Sequence, residues 1–300
     1  MGMMPPRSIL TAVDFSEPSR VALEFAARLS RQCGAALHVL HVEHPLLTAA
    51  ARAEGIDLTH ETREELTRFT AHAAAIGHST LRQHVVTGEA PRVICDIAQR
   101  EQVDLVVLGM HGMSGAAHAL FGSTTEGVLE HSDTPVFVVP DTWAPPLPSA
   151  NDLTGMGPVI AAVEITCPAM AAVAAAARLA QVLHTTLHAV HVVPAVNVLE
   201  RWQPHADAAV AHQITTARQD IEKALAGVLP HPDIPLLVES GPVPQRLAAA
   251  TFTWAGQHPI LVLGRHARGS RRGVPGSTAY RVLGLAKVPV LVYCLAEGCP

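Results

Sequence analysis

Aromatic residues are scarce in this 300-residue chain: six Phe, three Trp and two Tyr, in a sequence that is 49% hydrophobic and dominated by Ala, Val and Leu. That balance suits parallel strands covered by small-residue helices better than an aromatic-rich sandwich. No apolar run approaches the ~20 residues that a membrane helix needs. The opening MGMMPPRSILTAVD carries one Arg and then a strand, which is not a signal-peptide pattern. Pro6 stands where myristoylation requires Ser or Thr. Net positive charge is missing as well, and the formal charge of -5 argues against nucleic acid as a partner. Cys33, Cys95, Cys167, Cys294 and Cys299 form no C-x-x-C and are odd in number, so they read as free thiols in a reducing cytosol. There is no G-x-x-x-x-G-K-[ST] and no G-x-G-x-x-G after the first strand, and Ser114 lies in G-M-S-G rather than in a hydrolase elbow. The 18 histidines include no H-E-x-x-H. His38 and His41 recur as His188 and His191, but strand residues three apart face opposite ways, so no metal site is expected.

What the chain does have is an alternation of strands and helices, stated twice. SILTAV from Ser8 predicts a strand, Asp14 closes it, Ser16 is placed to cap a helix through VALEFAARLSRQC, and Gly34 ends that helix. Further strands are predicted at Ala36–Val42, Leu81–Val86, Leu105–Leu108 and Val136–Val139. Helices are predicted within Thr48–Ile76, at Pro91–Arg100 and at Ser123–Glu130. ILTAVDFSEPSRVALEFAARLSRQCGAALHVLHV then aligns with VIAAVEITCPAMAAVAAAARLAQVLHTTLHAVHV: Asp14 maps to Glu164 and Val42 to Val192, 150 residues on in both cases. Gly88 maps to Gly241 and Gly109 to Gly264, at offsets of 153 and 155. A tandem duplication of one α/β domain accounts for this. The expected domains are residues 1–141 and 158–300, with the proline-rich 142–157 as linker by composition.

Crossover connections make each sheet parallel, and ligands of such sheets bind outside the C-terminal strand ends. Asp14, Val42 and Gly109 all fall at such ends. Gly109, Gly112 and Gly122-Ser123 form the frame G-x2-G-x9-G-[ST], running from a strand through a loop into a helix. Glycines let backbone N–H groups approach an anion, and the helix start adds unpaired donors. A plain turn would also explain Gly109 and Gly112, and a turn or cap role would also explain Asp14. In the second half Gly264, Gly276, Ser277 and Thr278 persist, but Ala267 replaces the second glycine and Glu164 replaces Asp14. The second site is therefore altered or lost. Its loop arginines, Arg265, Arg268, Arg271 and Arg272, either add phosphate affinity or are solvated charges. His111 and His266, each two residues past the first glycine, either meet a phosphate or are exposed loop residues.

This glycine frame resembles the universal stress protein family, and the resemblance extends over nearly the whole chain. It implies two tandem Rossmann-like domains of the adenine nucleotide alpha hydrolase-like type, each a five-stranded parallel sheet with helices on both faces. It implies ATP binding in the first domain: Asp14 by the adenine and ribose, the Val42 backbone at the adenine, Gly109 and Gly112 along ribose and phosphates, and Gly122, Ser123 and Thr124 at the terminal phosphates. Val192, Gly264, Gly276, Ser277 and Thr278 are the second-domain counterparts. Mg²⁺ would arrive with the nucleotide. The family also implies association through the fifth strands, Val136–Val139 and Val290–Tyr293, as a homodimer or as pairing of the chain's own halves. A cytoplasmic, nucleotide-dependent regulatory module is the expected function, with no catalytic residue assigned. A slow ATPase or an adenylyl- or phosphoryl-transferring enzyme using His111 or Asp14 is the alternative, as is a nucleotide-free structural stress protein.

Overall fold

The first strand owes its position to apolar residues that are covered on both faces, and the rest of each domain is built outward from it. The computed structural model describes residues 5–76, 80–112, 122–194, 203–265 and 277–294. Apart from the first two residues, internal contacts divide the chain between Gly155 and Met156 into two units.

Unit 1 runs β1 (Ser8–Ala12), α1 (Glu17–Cys33), β2 (Ala36–Glu43), α2 (Pro45–Ala53), α3 (Leu58–Ile76), β3 (Leu81–Thr87), α4 (Ala90–Arg100), β4 (Leu105–Gly109), α5 (Ser123–His131) and β5 (Val136–Val139). Its strands are parallel, in the order β3-β2-β1-β4-β5. Unit 2 runs β6 (Val159–Ala162), α6 (Cys167–Val182), β7 (Leu187–Pro194), α7 (Gln203–Val228), β8 (Leu236–Gly241), α8 (Val243–Phe252), β9 (Ile260–Arg265), α9 (Ser277–Leu285) and β10 (Val290–Cys294). It repeats the order as β8-β7-β6-β9-β10, also parallel. The duplication extends to strand register. Ile9 pairs with Leu37 and Leu105, and its counterpart Val159 pairs with Leu187 and Ile260.

Local chemistry sets the element ends. Ser16 caps α1 by accepting from Ser19 N, Pro18 sits in the first turn, and Gly34 closes the helix at φ 66°. Where one helical region is expected between Thr48 and Ile76, the structure has two helices, parted by Gly55 at φ 77°. β4 and β5 are buried along their whole length, as strands covered on both faces must be. Three of the scarce aromatics meet in the core of unit 1. Phe25 of α1 is fully buried, and its ring lies 5.1 Å from those of Phe137 and Trp143.

The expected linker, residues 142–157, makes contacts of its own: Trp143 packs on Phe25. Trp143 and Leu153 are buried, and the buried Arg28 guanidinium donates to the Ala150 carbonyl while pairing with Glu24 at 2.8 Å. The proline-rich stretch is laid against unit 1.

The repeated histidines hold strands together. His41 Nδ1 bonds the Val13 carbonyl at 2.8 Å, and His191 bonds Val163 at 2.7 Å, tying the second strand of each unit to the end of the first. His38 instead shares a hydrogen bond with His84 of β3, Nδ1 to Nε2 at 3.0 Å, with the rings 7° from parallel. Burial pushes both imidazoles below their usual range. For His38 the neighbouring His84 and Arg82 charges add to this, and Glu101 opposes it. For His84, Glu101 also opposes it, while Arg100 and Arg82 add. The unfolded chain therefore takes up protons first as pH falls below about 6.5. The stability present above that pH is lost below it. Urea midpoints for unit 1 should fall between pH 7.5 and 5.5, and by less in His84→Gln. An equal fall in the variant would show that the pair is not the source.

Candidate functional site

The chain leaves β1 toward β2 on one side and later enters β4 on the other, so the strand order reverses between β1 and β4. A crevice opens at such a switch point, beyond the C-terminal strand ends. Asp14, two residues past β1, and Gly109, the last residue of β4, border it in unit 1.

Asp14 serves the local turn and also faces the glycine frame. Its Oδ1 accepts from Ser16 N at 3.1 Å and from the Ser16 hydroxyl, an Asx turn that starts α1. Its Oδ2 stands 2.5 Å from where a Cβ on Gly112 would sit, so a side chain at 112 would displace the Asp14 carboxylate. Gly109 has its own steric reason: a Cβ would lie 3.0 Å from the Pro18 carbonyl oxygen, at the start of α1.

Gly122 is different. Among the described residues, a Cβ there would meet nothing nearer than Gly112 N at 3.5 Å, and its φ of -70° and ψ of 148° suit any residue. Neither the packing of the described residues nor the backbone conformation requires glycine at this position. Gly122 caps α5 without a side-chain hydrogen bond, so the first-turn N–H groups at Ser123 and Thr124 meet no capping side chain. The neck is closed by Gly122 N donating to the Met110 carbonyl at 2.9 Å and by the buried Thr125 hydroxyl donating to the Gly109 carbonyl at 2.8 Å. Sequence reasoning passed over Thr125, although its place one turn into the helix puts it within reach of the strand end. The chemistry is that of an anion cradle: small residues, backbone donors and the positive end of a helix dipole.

Val42, half-buried, sits one residue before the end of β2. Beside it, Phe15 stacks on His41 with ring centroids 4.4 Å apart and meets Phe69 edge-on at 5.5 Å. Phe15 holds a left-handed φ of 66°, unusual for a bulky residue. The carboxyl of Glu43, buried, accepts from the Thr59 and Thr87 hydroxyls at 3.0 and 3.2 Å and fixes the end of β2. At the other border, His111 Nδ1 meets Asp141 Oδ2 at 2.7 Å.

The second unit places Val192 in β7, Gly264 in β9, and Ser277 and Thr278 at the start of α9. Gly276 lies outside the described residues, as do His266, Ala267, Arg268, Arg271 and Arg272. Arg265 is not a solvated loop charge: it is the last residue of β9 and is buried. Glu164 is exposed, and Thr166 caps α6 without a side-chain hydrogen bond, so the Asx turn of the first unit is not repeated.

A parallel sheet whose order reverses beside a glycine-framed strand–loop–helix defines a Rossmann-like α/β domain, here present twice. The model of the Universal stress protein family matches residues 6–140 and 156–293, and the chain belongs to that family. It is 26% identical to Universal stress protein Rv1996 of Mycobacterium tuberculosis, covering 95% of this chain and 94% of that protein. Universal stress protein G of Escherichia coli O157:H7 is 30% identical over 142 residues, 44% of this chain and 98% of its own length. Among solved structures, a universal stress protein from Archaeoglobus fulgidus shares the fold with a TM-score of 0.64 at 21% identity, covering 96% of this chain and 98% of that one.

Proposed function

We propose that the first domain binds ATP and that the protein is a cytosolic, nucleotide-dependent regulatory module of the stress response. Asp14 serves the ribose and the Val42 backbone serves the adenine. Gly109 and Gly112 line the ribose and phosphates, and Gly122, Ser123 and Thr124 hold the terminal phosphates, with Mg²⁺ entering on the nucleotide. The observation that carries this reading is Gly122. It is a glycine that neither its backbone angles nor the packing of the described residues demands, and it leaves space between Gly112 N and the first turn of α5. The second site, which lacks the Asx turn and the second glycine, is the weaker of the two.

Holding is favoured over cutting because no lysine or arginine occurs between Leu105 and Asp141, where phosphoryl-transfer enzymes place their charge-neutralising groups. Mass spectrometry of nucleotide released from the purified protein tests the reading. Adenine nucleotide is expected, with ATP turnover far below the ~1 s⁻¹ of ordinary enzymes. A preparation that neither carries nor binds adenine nucleotide would overturn it, and enzyme-like turnover would favour the catalytic alternative.

A further inference from the structure

The stretch from Leu105 to Asp141 contains no lysine or arginine, so a phosphate chain at its neck must be neutralised by something else. Backbone donors and the Mg²⁺ that enters on the nucleotide supply part of this. Among the described residues of that stretch the other candidates are His111 and His131, and His131 is at the far end of α5, bonded to the Gly127 carbonyl at 2.7 Å. His111 is at the neck itself. Its Cα would lie 3.6 Å from a Cβ on Gly122, and it directly precedes Gly112. Its ring is pinned: Nδ1 meets Asp141 Oδ2 at 2.7 Å. That contact depends on β4 and β5 continuing to pair past their ends, with Met110 N donating to the Val139 carbonyl at 2.9 Å and Asp141 following two residues later.

We infer that Asp141 is a positioning residue for the phosphate end of the nucleotide site, holding His111 Nδ1 so that Nε2–H is presented to the terminal phosphates. The inference rests on the nucleotide reading above. With Nδ1 engaged by Asp141, Nε2 is the ring nitrogen left to meet a phosphate oxygen. Among the described residues, the charged group that meets the His111 ring is Asp141, on Nδ1. The sign of one substitution separates this role from a bystander's. A carboxylate near a phosphate chain repels it, so removing a bystander Asp141 would tighten ATP binding. Removing an Asp141 that acts through His111 weakens it.

The test is calorimetric titration of the full chain with ATP and with adenosine, in a Gly276→Val background that leaves the first domain as the site read. His111→Ala should weaken ATP about 10-fold, the loss of one charge-assisted hydrogen bond, and leave adenosine unchanged. Asp141→Ala should also weaken ATP, yet add nothing in the His111→Ala background. Asp141→Ser, too short to reach His111, serves if the alanine variant fails to fold, and a urea titration shows which variants are folded. Unchanged or tighter ATP binding on removal of the Asp141 carboxylate would overturn the assignment while leaving the nucleotide reading intact. A parent that binds neither ligand would sink both.

Discussion

Gly122→Val should cost the first domain at least ~100-fold in ATP affinity while leaving it folded. The separation of the two effects follows from geometry. The position has an ordinary extended φ and ψ, and among the described residues its Cβ would find 3.5 Å of clearance, so the backbone is not strained by the change. The cost to α5 is that of replacing a tolerated N-cap by a poor one, about 1 kcal/mol. The branched methyls, however, would fill the neck between Gly112 N and the uncapped first turn of α5. Gly112→Val is no substitute as a probe, since its Cβ would strike the Asp14 carboxylate at 2.5 Å and disturb the turn that starts α1. Binding measured alongside a urea titration checks the prediction. Retained affinity, or a loss explained by unfolding, would contradict it.

Phe25→Ala should have the largest effect on stability. Phe25 is fully buried on α1, between Phe137 of β5 and Trp143 of the docked proline-rich stretch, at 5.1 Å from each. Truncation removes the ring and leaves a cavity between elements that cannot all close in, which costs about 3–5 kcal/mol. That is a large part of the 5–15 kcal/mol typical of a domain. Denaturant unfolding followed by Trp143 fluorescence should show the unit 1 transition moved down by that amount. A loss under about 1 kcal/mol would mean that the cluster is not the centre of the core.

The fold was legible because its determinants are local or periodic. Ser16, Pro18 and Gly34 mark the ends of α1 by chemistry confined to a few residues, and the doubled sequence predicted a doubled α/β domain, in which the structure gives Ile9 and Val159 equivalent pairings. What stayed hidden depends on tertiary adjacency. The His111–Asp141 contact joins residues thirty apart that meet because β4 and β5 are neighbours. Phe15 stacks on His41 because the turn after Asp14 takes a left-handed angle that a bulky residue rarely adopts. Arg265 looks like a loop charge in sequence, but β9 extends one residue past Gly264 and buries it. Composition marked residues 142–157 as a linker; one tryptophan, one leucine and a buried arginine on another helix decide that the stretch docks.

The account's central claim is one competent nucleotide site and one altered one, and the stoichiometry of ATP binding to the full chain tests it most directly. Calorimetry should give one tight site per chain, abolished by Gly122→Val and retained in Gly276→Val. Two sites of equal affinity, or tight binding that survives Gly122→Val and disappears with Gly276→Val, would contradict it.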